Sequence, residues 1–399
     1  MRILVAEDDR ITRASLVRQL AVWNHQVTEA HDGEVAWALF QAAQFDLVIT
    51  DWEMPRLSGV GLIQRIRQAN GPEYVYVIML TSRSDKSDVV RGIEVGADDF
   101  VSKPFDREEL RVRLLAGERI VRLEHALSRQ NAQLREASER IRRDLDAAAR
   151  VQRAMLPRQS ITTAHARTAW SYEPTEELAG DALGLHLVDE RYLAAYVIDV
   201  SGHGVPAALL SVTAMHYLDP EPDNASLLRD MTRRGEMGSV QRPSVVAAEL
   251  NRRFSADNSD DRFLTMVFCV LDTFKGRLQA VSAGHPQPIV LRGQTVVRLA
   301  DTAGLPIAMF DSAKYEDLEV QLEPGDRVYL FSDGIVEQTS TTGDGEFGQK
   351  RLVDLLLAGH GRDLDQVVTH GMNALADWAG GRRFTDDVSL VALEWIKEL

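Results

Sequence analysis

The chain has 399 residues, 45% of them hydrophobic and 26% charged, which is typical of a folded protein with room for two hydrophobic cores. Its formal net charge of −15 argues against non-specific nucleic-acid binding, and its single cysteine excludes an intrachain disulfide framework. It has no apolar run long enough to span a bilayer and no signal-peptide pattern, so we expect a cytoplasmic protein that binds neither nucleic acid nor membranes.

Residues 1–117 alternate short apolar segments with helical patterns. The segments 3–6, 45–50 and 76–80 are typical of buried parallel strands, so we predict a doubly wound α/β domain. In such a fold the ligand site lies at the carboxyl ends of the strands. The sequence places three carboxylates, a hydroxyl and a lysine there: Glu7, Asp8, Asp51, Thr81 and Lys103.

This set resembles the acidic site of receiver domains in two-component response regulators, and the resemblance covers the whole segment. It implies that Asp51 accepts a phosphoryl group from a sensor histidine kinase, and that Glu7 and Asp8 bind Mg²⁺ together with Asp51. In an alternative interpretation the acids only cap helices, which would account for Asp8 or Asp9 but not for the whole set.

The same resemblance assigns roles to three further residues. Lys103 would pair with the phosphoryl oxygens and Thr81 would donate a hydrogen bond to them. Phe100, three residues before Lys103, matches the aromatic switch residue of receiver domains.

Residues 118–155 contain no proline or glycine and are rich in strong helix formers, which predicts one continuous linker helix. Apolar or small residues recur there at heptad spacing, in two alternating rows: Ile120, Leu127, Leu134, Ile141, Ala148 and Met155, with Leu123, Ala137 and Val151. Gln130 and Asp144 interrupt this seam, so we predict a marginal parallel coiled coil that makes a homodimer. A single solvated helix is the alternative.

Residues 156–399 carry aspartates in short motifs where a strand or turn ends: Asp181, Asp199, Asp333 and Asp386. Any one such motif alone would be interpreted as an ordinary turn. Carboxylates are preferred ligands of hard divalent cations, and several of them can hold two ions and a reactive water. Their joint occurrence therefore predicts a hydrolytic metal site.

From about residue 151 onward the chain resembles the metal-dependent PPM (PP2C-type) serine/threonine phosphatases. The resemblance is closest to the bacterial subgroup that dephosphorylates regulators of alternative sigma factors, and it implies an α+β fold with a β-sandwich flanked by helices. The matching motifs occur in this order: Leu-Pro (156–157), Asp-Val-Ser-Gly-His-Gly-Val-Pro-Ala-Ala-Leu (199–209), Leu-Asn-Arg (250–252), Ala-Gly-His-Pro (283–286), Leu-Glu-Pro-Gly-Asp (322–326), Ser-Asp-Gly (332–334) and Thr-Asp-Asp (385–387).

The resemblance implies two Mn²⁺ or Mg²⁺ ions held by Asp199, the backbone carbonyl of Val200, Asp333 and Asp386, with Asp181 holding the waters of these ions. The four aspartates are then the catalytic residues. The implied reaction is hydrolysis of phosphoserine or phosphothreonine, and the implied substrate is a phosphorylated anti-sigma-factor antagonist.

Two histidines and a cysteine complete the residues of interest. His203 lies between two glycines and His285 lies in the Ala-Gly-His-Pro motif, so we expect both to fix turns rather than bind metal. Cys269 lies in an apolar run and is expected to be buried. The polar stretch 219–243 is expected to be a mobile insertion or a plain surface loop.

Together these patterns predict a receiver domain (1–117), a helical coiled-coil linker (118–155) and a phosphatase domain (156–399). The predicted function is that of a response regulator whose output is protein dephosphorylation. The alternative is a non-catalytic adaptor that binds a sigma factor or an anti-sigma partner through a degenerate phosphatase fold. Degeneracy would be marked by lost metal aspartates, and here they are present.

Overall fold

A computed structural model describes residues 1–69, 74–82, 93–220, 226–229, 240–257, 262–343 and 345–397. The chain divides into two compact units, Met1–Arg140 and Ile141–Leu399, and the division falls inside one long helix. Part of the polar stretch 219–243 lies outside the described residues. Among the helices that are described, none combines the length and the apolar character needed to cross a bilayer.

The first unit is built on a five-stranded parallel sheet with the order β2-β1-β3-β4-β5. Its strands are β1 (Arg2–Ala6), β2 (Gln26–Ala30), β3 (Leu47–Asp51), β4 (Tyr76–Thr81) and β5 (Asp99–Ser102). Its helices are α1 (Arg10–Val22), α2 (Gly33–Ala42), α3 (Gly59–Gln68) and the first part of α4 (Arg107–Met155).

Apolar side chains cover both faces of this sheet. Ile3 and Val5 of β1 belong to one buried cluster, and the alternate residues Leu4 and Ala6 belong to another. Since successive side chains of a strand point to opposite faces, helices pack on both sides of the sheet. The predicted doubly wound fold is therefore confirmed.

Polar side chains cap the helices that follow the strands. The carboxylate of Asp9 accepts a hydrogen bond from the Thr12 amide at 2.7 Å and caps α1, while Asp32 caps α2 in the same way. The capping role considered for Asp8 or Asp9 thus falls to Asp9.

Helix α4 is continuous from Arg107 to Met155, which confirms the predicted linker helix and extends it toward the N-terminus by more than two turns. The large apolar residues of the predicted seam are 37% to 64% exposed in the single chain: Ile120, Leu123, Leu127, Leu134, Ile141, Val151 and Met155. The boundaries proposed at residues 117 and 155 stay predictions.

The second unit is a sandwich of two five-stranded antiparallel sheets, ordered β13-β10-β9-β8-β7 and β12-β11-β14-β15-β6. The strands of the first sheet are β7 (Ala182–Leu187), β8 (Tyr192–Val200), β9 (Leu264–Asp272), β10 (Arg277–Ala283) and β13 (Leu318–Gln321). Those of the second are β6 (Ala166–Glu173), β11 (Ile289–Arg292), β12 (Thr295–Val297), β14 (Arg327–Phe331) and β15 (Val388–Trp395).

Helices cover the outer faces of the sandwich, as the sequence predicted. They are α5 (Val205–Tyr217), α6 (Pro243–Asp257), α7 (Asp333–Val336), α8 (Gly348–Ala358) and α9 (Leu364–Trp378). One apolar cluster lies between the sheets and includes Val197 and the buried Cys269, while two others lie between a sheet and its helices. Burial raises the pKa of the Cys269 thiol to about 12, in keeping with its predicted packing role.

Candidate functional sites

The first acidic site comprises Glu7, Asp8, Asp51 and Lys103, at the carboxyl ends of the parallel strands of the first unit. Lys103 Nζ lies 2.7 Å from Glu7 Oε2 and 2.8 Å from Asp51 Oδ2. Ligand atoms of Glu7, Asp8 and Asp51 all lie within 4.8 Å of one another. The structure therefore brings together the residues that the sequence placed at this edge.

Opposing electrostatic effects meet in this site. Burial raises the pKa of Glu7, and the negative charge of Asp51 adds to this effect, whereas Lys103 opposes it. Burial alone would lower the pKa of Lys103, but its hydrogen bonds with Asp51 and Glu7 outweigh burial and raise it. Lys103 is thus held as a cation between two carboxylates.

The predicted switch residues lie on β4 and β5, the two strands that follow β3 in the sheet. Thr81 ends β4 and is buried, and its carbonyl oxygen accepts a hydrogen bond from the Lys103 amide at 2.6 Å. Phe100 lies on β5 and packs, half-buried, against the apolar cluster of the sheet. Leu80, the residue before Thr81, pairs with Asp51, whereas Phe100 lies one strand further away and pairs with Met79.

The second acidic site comprises Asp181, Asp199, Asp333 and Asp386, at one end of the β-sandwich. Asp199 lies near the end of β8, and Asp181 directly precedes β7, whose first residue pairs with Ile198. Asp333 follows β14 and Asp386 precedes β15, and these two strands are antiparallel neighbours. Because antiparallel neighbours begin and end at the same edge, the four carboxylates converge although they are far apart in sequence.

A glycine allows two backbone segments to approach closely at this site. A Cβ atom added at Gly180 would lie 3.0 Å from the carbonyl oxygen of Val200, the predicted backbone ligand. The Ala-Gly-Asp segment therefore packs directly on the turn that carries Asp199. Gly202 and Gly204 have φ of 86° and 79° in the same turn, and His203 between them is exposed, with Nδ1 3.4 Å from Glu176 Oε1.

The pKa of every carboxylate in the second acidic site is raised. Burial, followed by the charges of Asp333 and Asp386, raises the pKa of Asp199 to about 7. Burial, followed by the charge of Asp199, raises the pKa of Asp181. Burial also raises the pKa of Asp333, with a further rise from Asp386, and the pKa of Asp386 itself.

No lysine or arginine within the described part of the chain forms an ion pair with any of these four aspartates. All the donors are oxygens, and among the described residues no basic side chain offsets their charges. This donor set suits Mg²⁺ or Mn²⁺, which take oxygen ligands. Of the described residues, only the first acidic site gathers three ligand side chains within 4.8 Å, so the second acidic site is the wider of the two.

Sequence reasoning overlooked Asp387. Its Oδ2 accepts the amide of Gly180 at 2.9 Å and that of Asp181 at 3.3 Å, and its Oδ1 accepts the amide and hydroxyl of Thr175 at 2.8 and 2.9 Å. Asp387 therefore ties the Thr-Asp-Asp turn to the Ala-Gly-Asp segment. The only signal in the sequence was a second acid placed directly before the apolar run that forms β15.

A buried glutamine of α4 was also missed. Gln152 donates from Nε2 to the Ala179 carbonyl at 2.8 Å and to Ser211 Oγ at 3.2 Å, and its Oε1 accepts the Ala179 amide at 3.2 Å. Ala179 lies two residues before Asp181. The end of α4 thus contacts both the Ala-Gly-Asp segment and helix α5.

Comparisons with known proteins match one family to each part of the chain. The family described as "Stage II sporulation protein E (SpoIIE)" matches residues 189–396, just over half of the chain. The family described as "Response regulator receiver domain" matches residues 3–115.

The second unit also resembles a solved structure. The SiaA-PP2C domain of Pseudomonas aeruginosa is 22% identical, with a TM-score of 0.54, over 65% of this chain and 98% of that one. At this identity the likeness shows the fold alone.

Curated relatives match over a shorter length. "Probable transcriptional regulator ycf27" of Porphyridium aerugineum is 40% identical over 113 residues, which cover 28% of this chain and 46% of that protein. "Response regulator MprA" of Mycobacterium avium (strain 104) is 39% identical over 116 residues, 29% of this chain and 50% of that protein. The chain spans about half the length of these relatives.

Proposed function

Because the chain belongs to the Stage II sporulation protein E (SpoIIE) family and carries a response regulator receiver domain, we propose that it is a receiver-controlled, metal-dependent protein phosphatase. Its substrate would be a phosphoserine or phosphothreonine protein. The observation that carries this proposal is the second acidic site, where four aspartates from separate motifs converge and no lysine or arginine of the described residues pairs with them.

Uncompensated, partly buried carboxylates are costly unless a cation binds them. Asp199, Asp333, Asp386 and the Val200 carbonyl would hold two Mn²⁺ or Mg²⁺ ions. When bound, ions of this kind polarise the phosphoryl group of the substrate and activate a water as the nucleophile.

Hydrogen bonds from neighbouring residues fix the position of Asp181 in the second acidic site. Asp181 accepts a hydrogen bond from Ser389 Oγ at 2.7 Å, which holds one oxygen of its carboxylate in place. From there it would hold the waters of the ions. Tyr172 donates from its hydroxyl to the Asp181 carbonyl at 3.1 Å and fixes the backbone of the same residue.

The receiver would supply control. Asp51 would accept a phosphoryl group from a sensor histidine kinase, with Mg²⁺ bound by Glu7, Asp8 and Asp51, and Lys103 would exchange its present contacts for the phosphoryl oxygens. Thr81 and Phe100 would respond to the new group. This is the chemistry expected of a carboxylate nucleophile that needs a metal and a cation to offset incoming charge.

Helix α4 offers two separate faces near its end, which supports a homodimer through the linker. Leu145, Ala149 and Gln152 face the second unit, whereas Ile141 and Val151 are exposed and continue the heptad seam. A second copy of α4 could therefore cover the seam without displacing the contact with the Ala-Gly-Asp segment. Dimerisation is checked by light scattering, with Leu127→Glu and Leu134→Glu expected to give a monomer.

The motif resemblance points to a phosphorylated anti-sigma-factor antagonist as the substrate, and a cytoplasmic location goes with that partner. The alternative, a non-catalytic adaptor for a sigma factor or anti-sigma partner, would not require an intact metal site. Four aspartates held together at a common edge favour catalysis.

The decisive experiment is hydrolysis of p-nitrophenyl phosphate and of a phosphoserine protein by the full chain with Mn²⁺. Activity should disappear with a chelator and return when Mn²⁺ is restored. Binding of a sigma factor or anti-sigma protein, without hydrolysis of either phosphoester, would favour the adaptor instead.

A further inference from the structure

The Ala-Gly-His-Pro motif contains a buried histidine that the proposed chemistry does not use. His285 is 5% exposed and lies where the two sheets meet at the second acidic site. Its Nδ1 lies 2.8 Å from Thr265 Oγ1 on β9, and its Nε2 lies 3.0 Å from the carbonyl oxygen of Phe331 on β14. One imidazole therefore spans both sheets of the sandwich.

The partners determine the tautomer of this ring. The Phe331 carbonyl can only accept, so Nε2 carries the hydrogen, and Nδ1 must then accept from the Thr265 hydroxyl. Burial lowers the pKa of His285 to about 4, so the ring stays neutral at physiological pH. A neutral bridge adds no positive charge next to a site that would bind cations.

The two hydrogen bonds of His285, to Thr265 and to Phe331, form a bridge whose ends lie close in the fold to predicted metal ligands. Thr265 pairs with Asp199 across β8 and β9, and both side chains continue the rows that face the core between the sheets. Phe331 is two residues before Asp333. The bridge thus ties the strand of one aspartate to the strand of the other.

The backbone of the motif is itself fixed. Gly284 has φ of 69°, and a Cβ atom there would meet the ring of Pro306. The Ser282 hydroxyl donates to the His285 carbonyl. The imidazole therefore projects from a rigid turn. A side chain that holds two sheets at a fixed separation needs a backbone that is fixed in this way.

We propose that His285 is a positioning residue that sets the separation of Asp199 and Asp333 through hydrogen bonds to Thr265 and Phe331. This inference rests on the proposed metal-dependent phosphatase function. It assigns the histidine a role beyond fixing its own turn, and it leaves metal binding to the aspartates.

The test uses a matched pair in the full chain, Thr265→Val and Thr265→Ser. Valine has the shape of threonine but cannot donate to Nδ1, whereas serine keeps the hydroxyl. Mn²⁺ affinity is measured by titration calorimetry without substrate, and kcat and KM are measured with p-nitrophenyl phosphate. The Nε2-protonated tautomer of His285 is followed by nitrogen NMR.

We expect Thr265→Val to weaken Mn²⁺ binding roughly tenfold and to lower kcat with little change in KM, because residues that orient metal ligands typically contribute this much. Thr265→Ser should stay within about twofold of wild type and keep the tautomer signal. His285→Gln, which can still donate to the Phe331 carbonyl, should give an intermediate loss.

Wild-type Mn²⁺ affinity in both Thr265→Val and His285→Gln, with only a lower melting temperature, would mean a purely structural role and overturn the inference. Absence of Mn²⁺ binding by the wild-type chain would overturn the proposed function and this inference together. If wild type and both variants bind Mn²⁺ equally well, the inference fails but the proposed function stands.

Discussion

The two acidic sites use similar carboxylates in opposite electrostatic settings. In the first, Lys103 lies within 3 Å of both Glu7 and Asp51 and offsets part of their charge. In the second, the described residues supply no such cation, and the pKa values of all four aspartates are raised. The first site is thus partly neutralised by Lys103, whereas under the proposed function the second would take its cations from solution.

The largest effect that tests this contrast is expected from Asp199→Asn and Asp333→Asn. Each should lower hydrolysis of p-nitrophenyl phosphate by roughly 100-fold or more, because a lost ligand removes an ion or misplaces it. Without metal, the melting temperature of each variant should be no lower than that of wild type, since each substitution relieves repulsion among buried charges. The exposed Asp311→Asn is the control. Wild-type rates in both site variants would contradict the assignment of these ligands.

Metal affinity of the second acidic site should depend on pH. Asp199 has a folded pKa of about 7 against an unfolded value of about 3.9, so its contribution to stability is present below about pH 4 and is lost as pH rises through 7. Mn²⁺ must displace the proton, so its affinity should rise with pH up to about 7 and then level off. Calorimetry between pH 5.5 and 8 checks this, with Asp199→Asn expected to flatten the curve. A flat curve in wild type would show that Asp199 is already ionised.

Lys103→Met should make the first acidic site resemble the second. With the cation removed, Glu7 and Asp51 lose their shared partner, and we expect a loss of about 1–3 kcal/mol in local stability at neutral pH. Mg²⁺ should then protect the amides of the first unit from hydrogen exchange more than it does in wild type. The exposed Arg18→Met is the control. Equal protection by Mg²⁺ in Lys103→Met and wild type would mean that Lys103 does not offset the acids.

The smallest effect is expected from Gln152→Leu, which changes neither acidic site directly. It leaves the buried amide and carbonyl of Ala179 without partners, so we expect a loss of about 1–2 kcal/mol and faster amide exchange around Asp181. Phosphatase activity should fall severalfold and respond less to a phosphodonor. The exposed Gln133→Leu on the same helix should change neither quantity. If the phosphodonor changes the activity of Gln152→Leu as much as that of wild type, the contact between Gln152 and Ala179 has no part in control.

The sequence by itself determined much of this protein. Parallel strands were predicted from short apolar segments such as 76–80, and the acids and lysine at their ends followed from the rule that parallel strands share one functional edge. The linker was predicted from helix formers and heptads, which are local features of a chain. The roles of the aspartates in the second site were predicted from the resemblance of their ordered motifs to those of the PPM phosphatases.

Only the tertiary structure decided what the remaining polar residues contact. Asp387 reaches Gly180 across 207 positions, His285 reaches Phe331 across 46, and Gln152 reaches Ser211 across 59. Such partners are chosen by the packing of two sheets and a helix, since a buried polar group must be satisfied by whatever lies opposite it. A local pattern shows that a residue is polar, but not which element lies opposite it, so the partners of these residues could not be predicted from the sequence.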